Sequence, residues 1–260
     1  MKTFGTKAVL VIGATAALAW SVSFIAMPLI QAREEGIDWF TSLCRAAGFS
    51  AAPGGQPARQ MGSVSLVTWS PSVLERLAKA NITKGEEIAA DVCAACHNPN
   101  GMSADAATMP SLAGQPARAL YKQLWDMKNG TRVNEAMKPL MENLKDDEIA
   151  DVALYYSERK PRNQDFRLER ENSKATLRLV TQGDSARALP ACQSCHDTAG
   201  GGPIDAPNLV GQYPRYMSNQ LHAFADGIRR NDMFARMRTI AAKLTPQETD
   251  ALANYYDGPR

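Results

Sequence analysis

Histidine is scarce in this chain, with three residues in 260, and cysteine is little commoner at five. So few cysteines offer no disulfide framework of the kind that holds small secreted domains together. Charge of one sign is not in excess either: 29 Lys and Arg stand against 27 Asp and Glu, a formal balance of +2. A nucleic-acid-binding surface, which depends on clustered basic residues, is therefore not indicated. The alanine-rich sequence is poor in strand-like stretches, which removes the βαβ setting that a thioredoxin-type dithiol needs. Long apolar runs are missing too, apart from one at the N-terminus, from Ala8 to Ile30 behind Lys2 and Lys7.

What the chain does contain is a pentapeptide in two copies, Cys93-Ala94-Ala95-Cys96-His97 and Cys192-Gln193-Ser194-Cys195-His196. Cys-x-x-Cys-His is the attachment signature of c-type haem. The two cysteines add as thioethers across the vinyl groups, and the histidine that follows lies beneath the ring as the proximal iron ligand. A zinc half-site or a redox dithiol competes for any single copy. A zinc site would need both cysteine pairs to converge on one metal, whereas each pair here has its own histidine. The motifs thus predict two covalently bound haem c groups, one on Cys93, Cys96 and His97 and the other on Cys192, Cys195 and His196. Cys44 is left as a spare thiol.

The N-terminal run of 23 uncharged residues is long enough to span a bilayer as a helix. A cleavable signal usually has an apolar region of about 7–15 residues, so an uncleaved anchor over residues 1–32 is the preferred reading. Cleavage after Ala17-Leu18-Ala19 is the competing one. With the lysines ahead of the span, the positive-inside rule sends everything after Arg33 outward. In a bacterium this places the anchor in the inner membrane and the haem units in the periplasm, where haem is attached to this motif. Residues 33–80 read as a periplasmic linker, although Val73, Leu74 and Leu77 have helical spacing.

Two related units follow, at 81–160 and 177–260, joined by a charged connector at 161–176. Cys192 lies 99 residues after Cys93, and Pro110-Ser111-Leu112-Ala113-Gly114-Gln115 recurs as Pro207-Asn208-Leu209-Val210-Gly211-Gln212. Tyr121 with Gln123-Leu124 is matched by Tyr216 with Gln220-Leu221, and Met137, Leu144 and Tyr155-Tyr156 recur 100 residues later. Landmarks in one order indicate duplication. Thr83 and Glu86 suggest a capping box for a helix that delivers Cys93, whereas Pro190 should shorten the equivalent helix of the second unit. Ile149, Val152, Ala153 and Tyr156 share one helical face, as do Thr249, Leu252, Ala253 and Tyr256, the latter behind a Thr245-Pro246-x-Glu248 start.

The sixth ligand of each iron separates a carrier from a catalyst. With two histidines used as proximal ligands, His222 remains, and it falls opposite Trp125 of the first unit, a packing or propionate-side position. Met137 and Met237 stand in corresponding places and are the predicted axial ligands. Met109, Met141 and Met233 are weaker candidates because none has a counterpart. His/Met coordination raises the potential and closes the iron to small molecules.

Cys93-Ala94-Ala95-Cys96-His97, the Pro110 to Gln115 segment, Gly130-x-Arg132-x-Asn134-x-x-Met137, and Arg230-Asn231 to Ala241 together resemble the diheme cytochrome c4 family, over roughly Ile82 to Tyr256. The resemblance implies an all-α fold of two tandem class I cytochrome c domains, here with an N-terminal transmembrane helix. It also implies a periplasmic carrier that takes electrons from a quinol-oxidising complex of the quinol–cytochrome c reductase type and passes them to a terminal oxidase or reductase. Such a carrier is not an enzyme. The alternatives are a diheme peroxidase or thiosulfate-oxidising enzyme, with Lys138 or His222 as an unusual ligand, and a fixed subunit of a larger membrane complex. Residues 1 to about 80 lie outside the family pattern, and Arg238-Thr239 replaces Lys138-Pro139, so the two haems need not share one potential.

Overall fold

The computed structural model describes residues 64–103, 105–162, 173–196 and 203–257, all within one compact unit. The expected N-terminal anchor, Cys44 and most of the linker lie outside them. Among the described residues no helix is long and apolar enough to cross a membrane. The structure is helical throughout, and its β pairing among these residues is an isolated bridge between Asp184 and Leu189.

The first half begins with α1 (Pro71–Ala78), capped by Ser70, whose hydroxyl accepts from the Val73 amide. Val67 is buried, and Trp69, Val73 and Leu77 pack against the same core. Arg76 reaches Asp147 at 2.7 Å. Residues 64–80, expected as a spacer, are therefore a cover for the first core, because their apolar residues have a surface to bury against.

Helix α2 (Ile82–Ile88) is capped two residues ahead of the expected Thr83. Its cap is Asn81, whose side-chain oxygen accepts from the amides of Thr83 and Lys84. Asn81 is among the best N-cap residues, and its own amide donates to Asp151 at 2.6 Å, which ties the helix start to the closing helix. A π turn, Ala89–Cys93, carries α2 into α3 (Ala94–His97). Helix α4 (Ala117–Lys128), α5 (Lys138–Glu142) and α6 (Asp146–Ser157) complete the half. The predicted face of α6 is buried at Ile149, Val152, Ala153 and Tyr156. Helix α2 crosses α6 at Gly85, where an added Cβ would lie 2.1 Å from the Asp151 carbonyl oxygen.

In the second half α7 (Lys174–Thr181) stops well short of the haem motif. Gly183 turns the chain at φ +74°, a 3₁₀ turn over Ser185–Arg187 follows, and the Asp184–Leu189 bridge closes the loop ahead of Pro190. The shortening expected from Pro190 is thus present, and a loop rather than a helix leads into Cys192. The short α8 (Gln193–His196), α9 (Pro214–Ala225), α10 (Arg236–Ala241) and α11 (Pro246–Tyr256) follow. Thr245 and Glu248 form the predicted capping box, and the Thr249, Leu252, Ala253 and Tyr256 face is buried.

Helices α4 and α9 are both twelve residues long and start 97 residues apart. That register makes Gln123 equivalent to Gln220 and Arg132 to Arg229, but sets Tyr121 opposite Ser218 rather than Tyr216. The two tyrosines also differ in setting: Tyr121 is in the first core, and Tyr216 accepts from Arg132 at 2.9 Å across the seam.

The seam between the halves is polar and buried. Asp126, 0 % exposed, accepts from Lys122 (2.8 Å), Ser65 (2.7 Å), Thr131 (2.8 Å) and Asn231 of the second half (2.7 Å). Lys122 donates also to the Asn231 carbonyl. Beside this cluster Arg132 and Arg229, one from each half, both donate to the side-chain oxygens of Gln123 and Gln220. Burial, and then the like charge of Arg132, pull the Arg229 guanidinium down to about 9.

A buried ion pair is costly to break because the surviving charge has no solvent. Asp126→Ala should destabilise the holoprotein by about 3–5 kcal/mol in guanidinium unfolding. Gly85→Ala, which drives a methyl into the α6 backbone, should cost about 1–3 kcal/mol by the same measurement.

Candidate functional site

Each pentapeptide is held at the edge of a helical core. In the first half the π turn ends on Cys93 and α3 presents Cys96 and His97, and His97 is only 6 % exposed. Its Nδ1 lies 3.3 Å from the carbonyl oxygen of Pro110. In the second half α8 places His196 so that Nδ1 lies 2.9 Å from the Pro207 carbonyl. A carbonyl only accepts, so Nδ1 carries the proton in both rings and Nε2 keeps its lone pair for a metal. Burial lowers the pKa of both imidazoles, against the opposing pull of those carbonyls, which favours the neutral, ligating form.

The thiols are similarly desolvated. Burial pushes Cys93 up to about 11 and Cys192 also up to about 11, which makes neither a ready thiolate nucleophile. Among the described residues no three His, Cys, Asp or Glu side chains converge as a metal-holding group.

Cys93, His97 and Met137 line a single cavity together with Leu112, Leu124 and Val152. Met137 stands just before α5, and Asn134 holds its amide at 3.1 Å. Met141 lines the same cavity and is 1 % exposed. Its equivalent on α10 is the buried Ala241, whereas Met137 corresponds to Met237, half-buried on that helix. Only the Met137 and Met237 positions supply a thioether in both halves. Met233 opens a 3₁₀ turn ahead of α10, in which Phe234 and Ala235 adopt left-handed backbone. His222 is exposed on α9, and so is not packed into a core.

Several site residues carried no functional meaning in the sequence. Ser103 donates to the carbonyls of Met109 and Pro110 at 2.9 and 3.2 Å, supporting the loop that anchors His97. Gln115 and Gln212 were visible only as landmarks of the repeat. Their recurrence at a fixed distance after Pro110 and Pro207 was the available signal.

The residues present fit a haem. The apolar and sulfur-bearing residues that line the cavity around the first imidazole suit a porphyrin face, and the donor set of thioether, imidazole and paired cysteines suits covalently bound haem iron. Trp69 Nε1 by the first core and Tyr256 Oη in the second are buried donors with no protein partner, and so is Arg238 Nη2. Such orphans cost about 1–3 kcal/mol each unless another group satisfies them. A flat apolar group bearing carboxylates meets both needs.

The family model for cytochrome c matches residues 82–158 and again 185–256. Cytochrome c4 of Pseudomonas aeruginosa is 37 % identical over 179 residues, covering 65 % of this chain and 84 % of the relative. The thiosulfate dehydrogenase electron acceptor of Thiomonas intermedia is 35 % identical over 165 residues, covering 63 % of this chain and 76 % of the relative. Among solved structures, reduced cytochrome c4 from Pseudomonas stutzeri aligns with a TM-score of 0.62 at 32 % identity, over 70 % of this chain and 100 % of that one.

Proposed function

Since the chain belongs to the diheme cytochrome c4 family, we propose that it carries electrons from a quinol-oxidising complex of the quinol–cytochrome c reductase type towards a terminal oxidase or reductase. At the coarser level it is a diheme electron-transfer cytochrome with two covalently bound haem c groups. When bound, the haem iron supplies the redox chemistry, alternating between ferrous and ferric.

In this reading the chain's own groups do three things. Cys93 and Cys96, and Cys192 and Cys195, would hold the two macrocycles as thioethers, and His97 and His196 would each offer an imidazole nitrogen to the iron. Met137 and Met237 would each offer a thioether sulfur as the second iron ligand, which would leave no position for a substrate. The apolar walls at Leu112, Leu124 and Val152 exclude water, so little solvent must reorganise when charge changes. The observation that carries the proposal is the cavity shared by His97 and Met137, with the imidazole already oriented by Pro110.

We place the protein at the bacterial inner membrane, anchored through residues 1–32, with both haem halves in the periplasm. Lys2 and Lys7 ahead of the 23-residue apolar run support this orientation. A second donor is favoured by one observation, the 35 % identical relative named as a thiosulfate dehydrogenase electron acceptor. On that reading the chain accepts electrons from a thiosulfate-oxidising enzyme instead of a quinol-oxidising one.

The wild-type protein should show two six-coordinate low-spin haems and bind no carbon monoxide when reduced. Met137→Ala and Met237→Ala should each convert one haem to a high-spin form that binds carbon monoxide. An unchanged optical spectrum in either variant overturns that ligand. Stopped-flow reduction by quinol–cytochrome c reductase should outpace reduction by thiosulfate dehydrogenase, and the reverse order would favour the second donor.

A further inference from the structure

The two halves exchange one contact reciprocally. Gln212 of the second half places its side-chain oxygen 2.8 Å from the Ser111 amide, and its Nε2 donates to the Ser111 carbonyl at 3.0 Å. Gln115 of the first half does the same to Asn208: its oxygen accepts from the Asn208 amide at 3.1 Å and its Nε2 donates to the Asn208 carbonyl at 2.7 Å. A primary amide has the donor and acceptor of a peptide group side by side, so each glutamine pairs with the other half's backbone as a neighbouring strand would. Gln115 and Gln212 are each 8 % exposed, and Ser111 is 4 % exposed, so water offers these groups little alternative.

Ser111 and Asn208 are the residues directly after Pro110 and Pro207, whose carbonyls hold Nδ1 of His97 and His196. Ser111 N and the Pro110 carbonyl belong to one planar peptide unit, as do Asn208 N and the Pro207 carbonyl. Gripping the amide therefore sets where the carbonyl points. We propose that Gln212 is a positioning residue for the proximal ligand His97, and Gln115 for His196, so that each half tunes the haem of the other. This rests on the diheme carrier reading given above.

The direction follows from second-shell chemistry. An imidazole that donates from Nδ1 to a well-placed carbonyl is a stronger donor through Nε2, which favours ferric over ferrous iron. Releasing the carbonyl weakens that bond and raises the reduction potential.

The test is a redox titration of the full-length holoprotein followed by NMR, in which the shifted resonances of the two haems are read separately. Gln212→Leu should raise the potential of the haem on His97 and leave that on His196 in place, while Gln115→Leu should do the opposite. The Nδ1 proton of the affected histidine should exchange faster with solvent, by tenfold or more. A shift in the haem of the variant's own half, equal shifts in both haems, or no shift overturns the proposal. Where a leucine variant yields no holoprotein, Gln→Asn at the same position, polar but one methylene short, is read in the same way. Carbon monoxide binding to the reduced wild-type protein would instead sink the carrier reading, and the crossed pattern of shifts would still be legible.

Discussion

A histidine can serve a buried metal well only if its ring is held by the nitrogen that the metal does not use. In both halves that restraint is a backbone carbonyl, Pro110 for His97 and Pro207 for His196. The demand propagates outward, because a carbonyl is only as fixed as the loop that carries it. Ser103 ties the first loop from within its own half. Gln212 and Gln115 tie the two loops from opposite halves. Immediately before each glutamine, Gly114 and Gly211 have φ of +69° and +76° and donate their amides to the Tyr156 and Tyr256 carbonyls at the ends of the closing helices. An added Cβ at Gly211 would meet the Arg162 carbonyl oxygen at 2.1 Å, so the left-handed turn and the close approach both require glycine.

The halves meet through polar groups rather than through an apolar patch, and the arrangement is closed on itself. Asp126 has four donors, which is close to what a carboxylate can accept, and this full satisfaction is what makes burial of the charge tolerable. Arg132 and Arg229 share two glutamine oxygens. Burial would raise the Tyr216 phenol, but the two guanidiniums outweigh it and lower it. Directional hydrogen bonds of this kind allow one relative placement of the halves, whereas apolar surfaces would tolerate sliding. A fixed placement suits a relay, since electron transfer between two centres depends on their separation.

The sequence made the chemistry legible and the support for it largely illegible. Adjacent cysteines and a histidine can be read because covalent attachment imposes a local spacing. The buried faces of α6 and α11 follow from helical periodicity for the same reason, as does the Thr245–Glu248 cap. Three features depended on what lay opposite. Asn81 displaced Thr83 as a cap by also reaching Asp151. Residues 64–80 covered the first core instead of spacing it. Tyr121 and Tyr216 looked equivalent by order along the chain, yet the helix register sets them in different environments.

The sequence alone therefore determined the cofactor chemistry, the duplication and the pairing of Met137 with Met237, since each is a statement about short spacings or about repetition along one chain. The tertiary structure decided which nitrogen of each histidine is held, which methionines share a cavity with His97, and how Gln115 and Gln212 cross between the halves. The glutamine contacts join residues 101 and 93 positions apart along the chain. A glutamine that pairs with distant backbone looks, in the chain, like any other glutamine, because its partner is a peptide group that every residue possesses.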